Sequence, residues 1–315
     1  MANTFGKVSG TFREIQNAFA KVSGTWQEAD EIYAKVSGVW KLVFAAFTPG
    51  SIQTLSSGSG TFTVPDNANS IHIQAAVGGG GGAAGGASYD KANGESAGAG
   101  GGSGAYISDK IFSVTEGETL SFSIGSGGAA GNQTGNFSQP RIASAGTNTT
   151  LSGSSAGSLF TLGAGGGSSG TGGGVQGPLR TNTAGTAGSA TIGGTAVTSG
   201  NFRDSDGTTK AVTTNTSGPV GSFNQSGNGA AGDLSGSGNC GGDNCRISGF
   251  DGGDSYAGNI AGGSGGSSSG SGTAGSAGTR GSGGGGGAAQ VTGGGATNGA
   301  SGGNGEIRYR FLRVN

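Results

Sequence analysis

The sequence predicts an all-β protein: an N-terminal β-hairpin meander, then an antiparallel β-sandwich with a large glycine-rich excursion closed by a C-terminal strand. Three observations predict it. A 14-residue repeat fills residues 7–48, alternating apolar and polar residues recur in residues 51–162, and 78 of the 315 residues are glycine. Such a glycine content favours disorder, but a formal net charge of −1 does not. We therefore expect extended glycine segments that pack closely and bond through their backbones.

The repeat predicts three hairpins. Its copies begin at Lys7, Lys21 and Lys35, and each places a Ser-Gly pair between two runs of strand-forming residues. This pattern is typical of a two-residue hairpin turn. Across the second turn it predicts that Lys21 lies opposite Trp26, so that charged and aromatic side chains share one face.

Residues 1–48 are predicted to attach the protein to its assembly. A meander of this size is marginally stable alone and gains from docking on the next domain or on a partner. The third copy also ends in an apolar run before Pro49. The candidate attachment residues are the aromatic residues Trp26, Tyr33, Trp40, Phe44 and Phe47.

Residues 51–162 are predicted to form the strand-rich sandwich, with glycine tracts inserted. Residues 71–74 alternate apolar and polar side chains, as half-buried strands do. Turn signals such as Pro65 and the residues after it bound these segments. The candidate strands are residues 52–55, 60–64, 70–77, 105–114, 119–124, 148–151 and 159–162.

Residues 163–305 are predicted to form a glycine-rich domain with variable loops, and residues 306–315 a closing strand. Ile307, Tyr309 and Phe311 alternate with longer polar residues, so the chain returns to the sheet after the excursion. A strict G-X-Y period is missing, which excludes collagen. Extended polyglycine helices of three residues per turn leave the backbone free to bond neighbouring segments.

Islands of richer sequence between the glycine tracts are predicted to bind a receptor. They combine aromatic residues with Asn, Asp, Ser and Gly, the composition of adaptable binding loops; residues 136–141 form one such island. The alternative is that each ring fills a gap in the glycine packing. The candidate receptor-binding residues are Phe202, Arg203, Asp204, Asp206, Phe250, Asp251 and Tyr256.

No enzymatic motif, cofactor site or metal site is predicted. His72 is the single histidine and is expected to face solvent from a strand. Asp204 and Asp206 resemble the start of a calcium loop but lack its remaining ligands. Cys240 and Cys245 are expected to be free thiols or one local disulfide, because a single pair cannot complete a zinc site.

Charge and hydropathy argue against several partners. The near-zero net charge predicts neither nucleic-acid nor membrane-surface binding. No apolar run is long enough for a membrane span, and the first residues lack the features of a signal peptide. We therefore expect no membrane insertion and no export by the usual route.

Two stretches resemble phage proteins. Residues 21–41 resemble short hairpin repeats of tailed-phage virion proteins. The segment from Ser59 to Gln74, its glycine tract and the closing residues 303–309 are similar to the glycine-rich domain of phage tail fibres and receptor-binding adhesins.

The resemblance implies a virion component that assembles in the host cytoplasm. Its N-terminal hairpins would contact other virion proteins, and its loops a bacterial surface receptor, either a glycan or an outer-membrane protein. It also implies a multimer in the particle. The place on the particle stays open between tail fibre, tail tip and head fibre. The alternatives are a head fibre, decoration or other non-receptor virion protein and a cell-surface matrix adhesin. The irregular islands argue against an ice-binding bundle.

Overall fold

The computed structural model describes all of the chain apart from short gaps and one long gap, residues 214–245. In the described part every regular element is a β-strand. The described residues are 5–8, 11–14, 19–29, 31–45, 47–88, 95–96, 98–132, 141–171, 181–183, 185–197, 200–203, 209–213, 246–247, 251–252, 262–265, 273–290 and 296–314.

The N-terminal repeat forms three hairpins, as predicted. Their strands are β1 (Phe5–Val8), β2 (Thr11–Glu14), β3 (Phe19–Val22), β4 (Thr25–Glu28), β5 (Glu31–Val36) and β6 (Val39–Ala45). The turn residues Ser23 and Gly24 have φ of 50° and 87°, the left-handed pair that a two-residue hairpin requires. Lys21 lies opposite Trp26, which confirms the predicted register. In the described strands each hairpin is a separate two-stranded sheet rather than part of one continuous meander.

The remaining strands form the sandwich and three small sheets. In chain order they are β7 (Gln53–Leu55), β8 (Ser59–Thr63), β9 (Ser70–Val77), β10 (Ala87–Ser88), β11 (Glu95–Ser96), β12 (Tyr106–Ser113), β13 (Thr119–Ser123), β14 (Arg141–Ile142), β15 (Thr149–Gly153), β16 (Gly157–Leu162), β17 (Ser169–Thr171), β18 (Thr181–Thr183), β19 (Ala190–Ile192), β20 (Thr195–Val197), β21 (Gly200–Arg203), β22 (Thr209–Thr213), β23 (Arg246–Ile247), β24 (Ala289–Gln290) and β25 (Glu306–Leu312).

Two antiparallel six-stranded sheets form the sandwich. Sheet I has the order β21-β22-β12-β9-β25-β7, and sheet II has the order β20-β19-β16-β15-β13-β8. Residue alternation decides which side chains lie between the sheets: Ile71 and Ile73 are fully buried, whereas Gln74 is exposed. Tyr309 of sheet I stacks on Phe62 of sheet II with ring centroids 4.7 Å apart. The core is therefore built from the inner faces of both sheets.

The seven strands predicted for residues 51–162 are all present, with ends shifted by at most a few residues. The predicted closing strand is also confirmed, because β25 pairs along β9 from Glu306 to Leu312. The prediction divides the sandwich from the glycine-rich domain at residue 162. Residues beyond 162 also contribute strands to the sandwich, since β19 extends sheet II and β22 extends sheet I.

Glycine-rich segments extend from one end of the sandwich, and we call eight of them rods. Seven of the rods directly follow or directly precede a strand of the sandwich, with at most one residue between rod and strand. The eighth rod is residues 282–288. The seven are residues 78–86, 98–105, 125–131, 143–147, 163–168, 185–189 and 297–305.

Residues 78–86 form the central rod, whose hydrogen bonds repeat every third residue. Its N–H groups donate to three rods in turn. Residues 78, 81 and 84 donate to residues 105, 102 and 99 of one rod, and residues 79 and 82 donate to residues 147 and 144 of a second. Residues 80, 83 and 86 donate to residues 303, 300 and 297 of the third. Its carbonyl oxygens accept from three more rods, at residues 128 and 131, 165 and 168, and 284 and 287. Three residues per turn is the period of an extended polyglycine helix, as predicted.

The six surrounding rods also bond to one another in a closed ring. Each rod bonds to the next in the order 98–105, 163–168, 143–147, 125–131, 297–305 and 282–288. Rod 282–288 then bonds to rod 98–105, which closes the ring. As the central rod runs from residue 78 to residue 86, the numbers of its bonding partners fall in one ring rod and rise in the next. The ring rods therefore run alternately antiparallel and parallel to the central rod. Every side of the five-glycine tract at residues 78–82 therefore faces another backbone, and a side chain on any of these glycines would overlap a backbone oxygen.

Candidate binding surfaces

The rods carry four chain connections to one end of the molecule. At the sandwich end the central rod bonds through Gly78 to Ala105, and at the far end through Gly86 to Thr297. These levels are roughly 25 Å apart, at about 3.1 Å per residue. We call the far level the distal end. The chain leaves and re-enters the rods at this level between residues 86 and 98, 131 and 143, 168 and 185, and 288 and 297, and we call these segments the distal connections; their residues 89–94, 97, 133–140, 172–180, 184 and 291–295 lie outside the described part.

Small sheets join the bases of these distal connections. Strand β10 pairs with β11, β14 with β17 and β18, and β23 with β24. They position Ile142, whose side chain is 63% exposed, beside Arg141, which is 1% exposed. An Nη1 donor of Arg141 lies 3.2 Å from the Gly85 carbonyl oxygen. Arg141 belongs to a predicted binding island, but the structure uses it as packing inside the rods.

Hydroxyl side chains satisfy rod backbone groups at the surface. Ser144 Oγ accepts the Ala129 N–H at 2.7 Å, and three residues later Thr147 Oγ1 accepts the Ser126 N–H at 2.7 Å. Inside the bundle, Ser168 Oγ accepts from Ala84. The sequence analysis missed these residues. Their signal is the three-residue spacing of hydroxyl side chains beside a glycine tract.

The predicted receptor-binding residues fall in two different layers. Phe202 and Arg203 end β21, the edge strand of sheet I. Asp251 lies in the rod layer, where its Oδ1 accepts the Gly265 N–H at 2.7 Å, and a methyl group on Gly100 would overlap its carbonyl oxygen. The described members of the two islands therefore lie in different layers. Four further candidates, Asp204, Asp206, Phe250 and Tyr256, lie outside the described residues, as do Cys240 and Cys245.

The segment that follows the hairpins joins the sandwich away from the rods. Strand β7 begins with Gln53 opposite Tyr309 and runs toward the rods, because Leu55 pairs with Ile307. Phe47, a predicted attachment residue, is half-buried and packs against the sandwich core. This contact anchors the end of the hairpin segment to the sandwich.

The hairpins expose their aromatic residues. Trp26 and Trp40 are each 67% exposed and Tyr33 is 50% exposed, while the side chain of the fourth candidate, Phe44, lies outside the described part. The Tyr33 hydroxyl donates to Glu31 Oε2 at 2.7 Å. This hydrogen bond, together with the carboxylate charge, raises the pKa of Tyr33 above its ordinary value. The described faces of the hairpins form an uncovered aromatic surface, as an attachment site requires.

The outer face of sheet I carries paired polar side chains. His72 Nε2 lies 2.6 Å from Asp109 Oδ1, and the His72 side chain is only 12% exposed. Asp109 lies on β12 in the left-handed region, with φ of 56°, and the pairing with β9 keeps the same register on both sides of it. The expectation that His72 faces solvent was therefore wrong, because Asp109 of the neighbouring strand gives the ring an acidic partner. Arg308 pairs with Glu306 in the same way at 2.6 Å.

The described residues contain no group of three or more His, Cys, Asp or Glu side chains that could hold a metal ion. They also contain no helix long and apolar enough to cross a membrane.

The sequence was compared with known protein families and with curated proteins. The sequence model of a family described as a glycine-rich domain matches residues 54–312. The match spans the sandwich from β7 to β25 together with all eight rods. No curated protein matches the chain.

Proposed function

We propose a function for this chain on the premise that it belongs to the glycine-rich domain family: it is a structural adhesin of a phage tail fibre. Its hairpins attach it to other virion proteins, and its distal connections contact a receptor on the bacterial surface. The observation that carries the proposal is the opposite placement of the two surfaces. The hairpin segment joins the sandwich away from the rods, and the rods carry four connections to the distal end.

The rods supply the rigidity that a receptor-binding surface needs. Each connection between rods begins and ends on a backbone bonded to its neighbours, as Gly86 is to Thr297 and Gly131 is to Ala83. Loops on a rigid scaffold are the usual place of binding residues. Sequence changes in a loop leave the rod contacts intact, so the receptor can vary without a change of scaffold.

The attachment part rests on the exposed aromatic residues. Two hairpins that leave Trp26 and Trp40 two-thirds exposed are typical of a surface that another protein covers. Phe47 packs against the sandwich core and so links the end of the hairpin segment to the sandwich.

Binding of purified protein to bacteria tests the receptor part of the proposal. Fluorescently labelled full-length chain should bind host cells saturably and should reduce adsorption of the intact phage in proportion to occupancy. A chain that enters particles yet neither binds cells nor competes would instead be a head fibre or another structural virion protein. Binding to cells without incorporation into particles would favour a cell-surface adhesin.

A further inference from the structure

The third hairpin presents a face of four exposed side chains. Glu31, Tyr33 and Lys35 alternate along β5, and Trp40 of β6 lies opposite Lys35. Trp40 is 67% exposed and Tyr33 50%. The hairpin has two strands, and an isolated two-stranded hairpin is marginally stable in water. An exposed aromatic face on such a sheet gains stability when another surface covers it.

The charges of this face are self-complementary. Glu31 lies at the open end of β5, Lys35 lies near the turn, and Tyr33 lies midway between them. A two-fold axis through Tyr33 exchanges the two ends, so that Lys35 of one copy meets Glu31 of the other. A two-fold interface uses the same patch on both copies and requires this kind of exchange. The Lys35 stem and the Trp40 indole then bury apolar area beside the ion pairs.

We propose that this face is the interface between two copies of the chain. The occupant is a second copy because the order Glu31, Tyr33, Lys35, read in reverse on another chain, places each Lys35 opposite a Glu31. The second hairpin repeats only the Lys–Trp pair, with Lys21 opposite Trp26; Asn17 and Phe19 stand where the third hairpin has Glu31 and Tyr33, so the self-complementary charge order belongs to the third hairpin. The interface brings two sets of distal connections into one particle. It does not depend on the proposed receptor, because it is a property of the purified chain.

Native mass spectrometry and light scattering of the full-length chain over a dilution series test the interface. The dimer fraction of the wild type should rise with concentration. Trp40→Ala should weaken dimerisation by about tenfold or more, because an aromatic anchor is removed. Ile142→Ala is the matched control: Ile142 is similarly exposed but lies at the distal end, and its variant should dimerise like the wild type.

A charge exchange separates interface loss from hairpin unfolding. Lys35→Glu should weaken the dimer, because it places two carboxylates together. The double variant Lys35→Glu/Glu31→Lys reverses both ends of the face and should restore dimerisation. Wild-type chain that stays monomeric throughout the dilution series overturns the interface. So does a dimer that Trp40→Ala and Lys35→Glu leave unchanged. The binding of cells by the same protein has no bearing on either outcome.

Discussion

Gly81 donates its backbone N–H to the carbonyl oxygen of Gly102 at 2.7 Å. The same residue accepts at its carbonyl oxygen from Gly284, and a methyl group on it would overlap the carbonyl oxygen of Gly166. One residue thus touches three rods through its backbone alone. The glycine-rich part is held by bonds that any larger side chain would break, so its stability should respond to small substitutions that a side-chain core tolerates.

Gly81→Ala should therefore destabilise the protein by about 3 kcal/mol or more, because one methyl group separates packed backbones. The matched control is Gly50→Ala, since no atom lies within 4 Å of its added methyl group. The control should change stability by less than about 0.5 kcal/mol. Urea denaturation followed by circular dichroism measures both. Equal effects at the two glycines would show that the rods do not pack as described.

The bulkier changes Gly165→Val and Gly285→Val should be still more damaging. A side chain on either glycine overlaps a backbone carbonyl, that of Gly102 or of Ser264. Substitution of an island serine by valine provides the comparison and should be tolerated. Thermal unfolding of the three variants measures the difference, and similar midpoints for all of them would mean that the glycine tracts are linkers.

Side chains with a clear alternation were enough to predict the sandwich. Strand β9 was predicted at residues 70–77 because Ile71 and Ile73 alternate with polar residues, and the structure has the same bounds. The hairpin register followed from a Ser-Gly turn that fits two left-handed residues. In both cases the information lies in the side chains.

The order of the rods could not be predicted for the opposite reason. Residues 78–82 and residues 283–287 are each five consecutive glycines, yet the first tract is central and the second lies in the ring. Nothing in either tract distinguishes the two positions; the place of the central rod follows from the strand that it continues. The contact between Asp109 and His72 could not be predicted either, because it depends on the pairing of β12 with β9 and not on local sequence.

Replacement of one buried carboxylate should test a junction in the sandwich. Glu118 is 6% exposed and accepts three backbone N–H groups, from Thr115, Ser155 and Ala156 at 3.0–3.1 Å. It thereby joins two turns. Glu118→Gln should cost about 1.5–3 kcal/mol, the range for hydrogen bonds to a charged group. Asp66→Asn, an exposed acid, is the control in the same urea titration, and a change at Glu118 no larger than at Asp66 would contradict the assignment.

Stability at alkaline pH should depend on Tyr309. Burial raises the pKa of this phenol above its ordinary value of 10.0, so the folded state favours the neutral ring. That preference contributes fully below pH 10 and is lost as pH rises through the folded-state pKa. Wild type should lose more stability than Tyr309→Phe between about pH 8 and about pH 11. Urea midpoints at both pH values measure the loss, and identical losses would contradict the prediction.

Removal of the hairpins should separate folding from assembly. A chain that begins at Phe47 keeps the residue that packs against the sandwich core and lacks the exposed aromatic faces. It should fold with an unchanged thermal midpoint for the sandwich and rods but be absent from purified particles. Quantitative mass spectrometry of particles grown with the truncated chain measures this, and normal incorporation would show that attachment lies elsewhere.

The receptor-binding candidates can be ranked by their layer. Phe202 and Arg203 end the edge strand of sheet I, beside the sandwich. Asp251 lies among the rods, four residues after β23, which pairs with β24 at the distal end. The distal end is the part of the scaffold farthest from the segment that joins the hairpins. Under the proposed function we therefore expect Asp251 to contribute more to receptor binding than Phe202 and Arg203.

Particles with alanine substitutions in one island at a time measure the difference. Tyr256→Ala should weaken adsorption to host cells by about 1 kcal/mol or more, as loss of an aromatic anchor does. Phe202→Ala and Arg203→Ala should each have a smaller effect than Asp251→Ala. All variants must enter particles normally and keep the parent's unfolding midpoint, because a ring that fills a gap between rods would lower adsorption through misfolding. If correctly assembled particles with every substitution adsorb like the parent, both islands are packing elements and the receptor contacts other distal connections.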